Sequence, residues 1–197
     1  MGADLIAGSL IKNPGGSVAP SGGYLVGRGD LIERASYRLT APGIGKEVGP
    51  SLISNSFLYQ GIFNAPHVVV EALKGSIYIG AIMAALGYEI IPGIHDHRGD
   101  IVNAIRFNDP DRLKSFCQGI QKFSPVDSHV IPEAWDMPGY EHQVIMASGG
   151  FVEGSSIELS ADGPIRPPYI CFVQGGTSFQ YIKLVIDSIL KDELKII

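Results

Sequence analysis

The chain has 197 residues, 45% of them hydrophobic and 18% charged, with a net charge of −5. That balance supports a buried core and excludes a disordered chain. No basic stripe is present, which excludes a nucleic-acid partner. The longest apolar stretch, residues 68–86, carries Glu71 and Lys74 and reads as a buried helix, not a membrane span. The N-terminus lacks a cationic segment followed by an apolar one, so no signal peptide is expected and the location is cytoplasmic. Cys117 and Cys171 are expected to be reduced core thiols.

In chain order, residues 4–10 read as a short buried strand, followed by a glycine- and proline-rich loop over 13–23. Residues 24–27 form a second strand. Asp30 is expected to cap a helix to Leu39, with Glu33 as its capping-box partner. An apolar helical run begins at Ser56, and a long helix starts or kinks at Pro66 and closes at Gly87. Strands are then expected over 88–94 and 100–107, and a helix with Pro110 in its first turn runs to Phe123. Further strands are expected over 129–131, 143–147, 156–159 and 168–173. Thr177 or Ser178 caps a last helix, whose Ile182, Val185, Ile186 and Ile189 recur at helical spacing.

The first half therefore reads as α/β, and the second as a mostly antiparallel α+β layer of sheet and two helices. Two strands make at best a marginal sheet, so the first suggests part of a larger parallel one.

Lys12 stands where a strand delivers an amine into a glycine-rich loop, Ser9-Leu10-Ile11-Lys12-Asn13-Pro14-Gly15-Gly16. One bland alternative is an exposed lysine at a strand end. The Ser-x-x-Lys spacing also admits Ser9 as a hydrolase nucleophile. That chemistry needs Ser-Asp-Asn and Lys-Thr-Gly elements, which are absent, and a serine that opens a helix. A third reading makes Lys12 the Schiff-base lysine of pyridoxal 5'-phosphate. The amine must then be neutral to attack, and later shuttles protons. Ser9 would hydrogen-bond the cofactor phosphate.

Residues 7–16 closely resemble the lysine segment of the methionine γ-lyase-like, aluminium-resistance-associated family of pyridoxal phosphate enzymes, also described as cystathionine β-lyase-like. Tyr37-Arg38-Leu39-Thr40-Ala41-Pro42-Gly43-Ile44-Gly45, Phe116-Cys117-Gln118-Gly119-Ile120-Gln121, Pro138-Gly139-Tyr140 and residues 159–166 are similar to it too. The resemblance implies the C-terminal part of a type I aminotransferase-like fold. Residues 1–87 would be the end of the large cofactor-binding domain with an interdomain helix, and 88–197 the small α+β domain. It implies a carbon–sulfur lyase acting on a sulfur amino acid, in a homo-oligomer or with a complementary N-terminal half. Arg166, before a strand, a Gly-Gly pair and a helix, would hold the substrate carboxylate through a bidentate pair. Tyr37 and Arg38 would approach the cofactor or a neighbouring subunit, or simply end a helix.

Family members are roughly twice this length, since a complete sheet and a second domain need more chain. Only Asp4 is acidic before Lys12, so the acid facing the ring nitrogen and the phosphate-binding helix are not supplied there. Weak or no cofactor binding by this chain alone is expected. The alternative is a truncated, catalytically silent fragment that acts at most as a partner-binding module. His95-Asp96-His97 reads as a solvated turn, not a metal site.

Overall fold

The computed structural model describes residues 2–41, 43–47, 55–152, 154–155 and 157–192. Two compact units result, Met1–Ala65 and Pro66–Ile197. Compactness divides the chain inside a helix. Residue 87 of the sequence-based division is the glycine that ends that same helix.

In the first unit, β1 (Leu5–Ser9) pairs antiparallel with β2 (Gly23–Gly27), Leu5 opposite Gly27 and Ser9 opposite Gly23. Leu5, Ile6 and Val26 are exposed. This corrects the expected buried parallel strand. A two-stranded ribbon has no second layer of its own, and here these three apolar side chains stay open. Helix α1 (Gly29–Leu39) follows. Its N-cap is Arg28, with no side-chain cap, and the expected Asp30 box does not form. Asp30 instead sits in the first turn and takes two hydrogen bonds from the Arg28 guanidinium, at 3.1 and 2.9 Å.

Helix α2 (Asn55–Ala85) takes in the helical run expected from Ser56 and carries Pro66 inside. Proline removes one hydrogen bond to the carbonyl four residues back. Ile62 and Pro66 are both exposed, so water can take that place. Gly87, at φ 89°, ends the helix as expected, with Tyr88 N–H donating to Met83 O.

The second unit is the antiparallel α+β layer expected from the sequence. Strands β3 (Glu89–Ile91), β4 (Asn103–Arg106), β5 (Val144–Ser148), β6 (Ser160–Pro164) and β7 (Ile170–Gln174) form one sheet. Their order is β3-β4-β7-β6-β5, each pair antiparallel. Ile105, Ile145, Ala147, Ala161, Cys171 and Val173 alternate onto one face. That face joins a core with α3 (Pro110–Lys122), α4 (Phe179–Asp192) and Ile79 and Met83 of α2. Asp109 caps α3, its carboxylate accepting from the N–H groups of Asp111 and Arg112. Cys117 and Cys171 are buried free thiols, their sulfurs 3.8 Å apart. Burial pushes the Cys171 thiol well up, so it stays protonated.

Three expected features differ. Residues 129–131 form no strand. The expected strand at 156–159 lies later, at β6; Ser156 is outside the described residues, while Ile157 and Leu159 are buried. The first N–H of α4 is not capped by Thr177 or Ser178. Phe179 N–H donates to Glu71 of α2, at 2.8 Å.

Glu71 therefore ties two helices. Gly75, one turn on, accepts Ile182 of α4 so closely that an added Cβ would lie 2.2 Å from its Cδ1. Tyr78, farther along, donates to Asp187 and meets Phe179 edge-on. Helix α2 is long and apolar enough to cross a membrane by composition, yet these contacts make its second half a core helix.

Bonds from Lys74 and from Phe179 N–H hold the Glu71 carboxyl below the ordinary carboxylate range. A depressed folded value stabilises the fold above the unfolded value, and that contribution is lost as pH falls through the folded one. Glu71→Gln should therefore lower the thermal midpoint at neutral pH. The gap to the parent should narrow on acidification below the usual carboxylate range. Melting curves across pH check this.

Candidate active site

β1 ends at Ser9, and Leu10 turns inward, only 4% exposed, with its N–H donating to Gly22 O at 2.9 Å. That bond extends the β1–β2 ladder by one rung and closes the base of the loop. Lys12 follows in extended backbone, φ −100° and ψ −167°, directly before a single 3-10 turn, Asn13–Gly15. Its carbonyl accepts from Gly15 N–H, and that of Asn13 from Gly16 N–H. Gly15 O in turn accepts from Val18 and Ala19. Lys12 itself is half-buried.

Glycine is required in this turn by contact. A Cβ on Gly15 would lie 1.5 Å from Leu10 O. On Gly16, which has φ 58°, it would lie 2.1 Å from Gly61 O of α2, and on Gly61 it would lie 2.3 Å from Gly15 O. The turn after Lys12 thus rests backbone-on-backbone on α2. A side chain at Gly16 or Gly61 would force the two apart, and one at Gly15 would push the turn off Leu10.

Ser9 Oγ accepts from Ile11 N–H at 3.3 Å, which leaves its own proton for another acceptor. Ser9 closes a strand and opens no helix, unlike a Ser-x-x-Lys nucleophile. Ser9 and Lys12 thus share one loop of the first unit.

Arg166 belongs to the second unit, in the turn between β6 and β7. Its side chain is exposed and makes no hydrogen bond or ion pair among the described residues. Its backbone is fixed: Tyr169 N–H donates to Arg166 O at 2.7 Å. Phe107 and Asn108 N–H donate to Tyr169 O and Pro168 O, pinning the turn to the end of β4. The guanidinium is therefore a free bidentate donor on a held turn.

At the His95-Asp96-His97 turn, Asp96 accepts from Gly93 N–H at 2.8 Å, while both histidines are exposed. Among the described residues no group of His, Cys, Asp and Glu gathers to hold a metal. The sequence reading missed Arg98, two residues from Asp96. Arg98 donates to Ser76 Oγ at 2.7 Å and to Asn103 Oδ1 at 3.1 and 3.0 Å. Asn103 donates onward to Ser76 O. Burial lowers the Arg98 pKa from its ordinary value. A polar run flanked by glycines gave no sign that one of its members turns inward.

The sequence pattern of the methionine gamma-lyase family matches residues 1–194. The chain belongs to that family. It is 50% identical over 198 residues to protein YnbB of Bacillus subtilis (strain 168), covering 98% of this chain and 47% of YnbB. Among solved structures it is similar to a carbon-sulfur lyase involved in aluminum resistance from Clostridium novyi NT. That match has a TM-score of 0.89 at 55% identity, over 96% of this chain and 44% of the lyase. A Bacillus cereus protein matches with a TM-score of 0.93 at 52% identity, over 97% and 47%. The chain thus spans less than half the length of these relatives.

If the glycine contact holds the Lys12 turn, Gly61→Ala should destabilise the loop by about 1–3 kcal/mol. Hydrogen exchange should speed up across residues 10–22 and stay unchanged in β4, β6 and β7. Unchanged exchange over 10–22 would remove the contact from that role.

Proposed function

We propose that this family member is the lysine-bearing part of a pyridoxal phosphate-dependent carbon–sulfur lyase acting on a sulfur amino acid. The observation that carries it is the half-buried Lys12, set in extended backbone on a turn pressed against α2. A primary amine so placed fits an aldehyde cofactor held covalently. When bound, the cofactor supplies an electron sink for the pair left on the substrate's α-carbon.

The chain's own residues do the rest. Lys12 Nζ would hold the cofactor and, when freed, would accept and return protons. Ser9 gives its spare hydroxyl proton to a phosphate oxygen. Arg166 grips the substrate carboxylate through two parallel N–H bonds, which sets the orientation of the amino acid. Residues 1–192 would be the C-terminal part of an aminotransferase-like fold, working in the cytoplasm as a homo-oligomer or with a complementary polypeptide. The chain spans less than half the length of each relative, so the test below supplies the rest. The second reading is a catalytically silent fragment.

The two part on one experiment. The chain is combined with the portion of a relative that it does not span, and thiol release from sulfur amino acids is followed. Release that disappears in Lys12→Ala and returns only at raised substrate concentration in Arg166→Lys is the expected result. No release from any sulfur amino acid selects the silent fragment.

A further inference from the structure

The five-stranded sheet of the second unit has an outer face that no catalytic role uses. Ile91, Ala104, Phe172, Asp162 and Met146 stand opposite one another, one per strand, in a single row across the sheet. Their neighbours Ile90, Ile105, Cys171, Ala161 and Ile145 alternate to the other side, into the core with α3, α4 and the second half of α2. An antiparallel sheet with one face in water ordinarily turns polar residues to it. Here four of the five are apolar, and Ile91, Phe172 and Met146 are exposed. An exposed apolar patch of this kind marks a contact surface.

Asp162 interrupts the row and restricts what can cover it. Its half-buried carboxyl sits in register between Phe172 and Met146. Among the described residues it has no hydrogen bond or ion pair, and desolvation raises it above the ordinary carboxylate value. A layer laid over the row takes away the water that remains. That costs free energy unless the layer brings a donor to the carboxylate.

A second copy of the same face brings no free donor. Arg106, the guanidinium in the next row, is already paired with Glu89 across the β3–β4 ladder. A second copy would add another unpaired carboxylate as well. The relatives contain a different source of cover. More than half the length of YnbB lies outside the part that this chain matches, enough for a further layer of structure.

We propose that this outer face docks the complementary polypeptide, through an apolar surface that carries one Lys or Arg for Asp162. Ile91, Phe172 and Met146 make the apolar contact, and Asp162 fixes the partner's register. This docking rests on the reading that a second polypeptide completes the fold, so association is measured apart from catalysis.

The full chain is co-expressed with the portion of YnbB that it does not span, and the affinity of the purified complex is read by sedimentation on dilution. A one-to-one complex is expected. Asp162→Leu and Phe172→Ser should each weaken it about tenfold or more. Leu184→Ser, at an exposed position of α4 away from this face, should leave it unchanged. In the chain alone, Asp162→Leu should raise the thermal midpoint at neutral pH, because it removes an unpartnered acid from an apolar row. Weaker association by a more stable chain cannot then come from unfolding. A complex that forms as expected but releases no thiol supports the docking face and counts only against the lyase chemistry. Absence of a complex, or affinity untouched by both face variants, overturns the proposal. Dimerisation of the chain alone that Phe172→Ser abolishes gives the face to a second copy and overturns it too.

Discussion

Backbone touches backbone where Gly15 and Gly16 meet Gly61, and that contact governs how Lys12 is presented. Gly16 and Gly61 let a loop and a helix approach to a distance that a Cβ on either would forbid, and Gly15 lets the loop close tightly on Leu10. Leu10 and Ala19 anchor the loop at either side, both nearly fully buried. The result is a short turn whose geometry is set by sterics. A lysine placed on its rim has its backbone direction fixed before its side chain does anything.

The second unit solves a different problem with the same economy. Its antiparallel sheet turns one face to three helices. The opposite face carries Met146, Asp162 and Phe172 in adjacent register, and partial burial there raises the Asp162 carboxyl above its ordinary value. Helix α2 joins this core through Glu71, Gly75 and Tyr78, each engaging α4. On that scaffold the β6–β7 turn is tied to the end of β4, so Arg166 is displayed from a fixed base. Holding a charged group on a rigid turn lowers the entropy lost when it grips a ligand.

Local signals were readable and long-range ones were not. Asp109-Pro110 announced α3 because cap and first-turn proline are both local. Gly87 announced the end of α2 for the same reason. β6 was misplaced because Ser160, Asp162, Gly163 and Pro164 carry little strand propensity. Its inward Ala161 and Gly163 are small because α3 lies close; a Cβ on Gly163 would meet Leu113 at 2.9 Å. The cap of α4 comes from Glu71, 108 residues away, and no local pattern can show it. The Lys12 loop was legible through its glycines, but the reason for them, Gly61, lies on another element.

The central claim is that Lys12, among all the lysines, is the amine built to hold an aldehyde cofactor. The direct measurement is to incubate the chain with pyridoxal phosphate, reduce with borohydride, and map the modified peptides by mass spectrometry. The account predicts that the adduct concentrates on the peptide carrying Lys12 and falls when Gly61→Ala disturbs the turn beneath it. An adduct spread over Lys74, Lys122 and Lys183, with Lys12 unmodified, would contradict it.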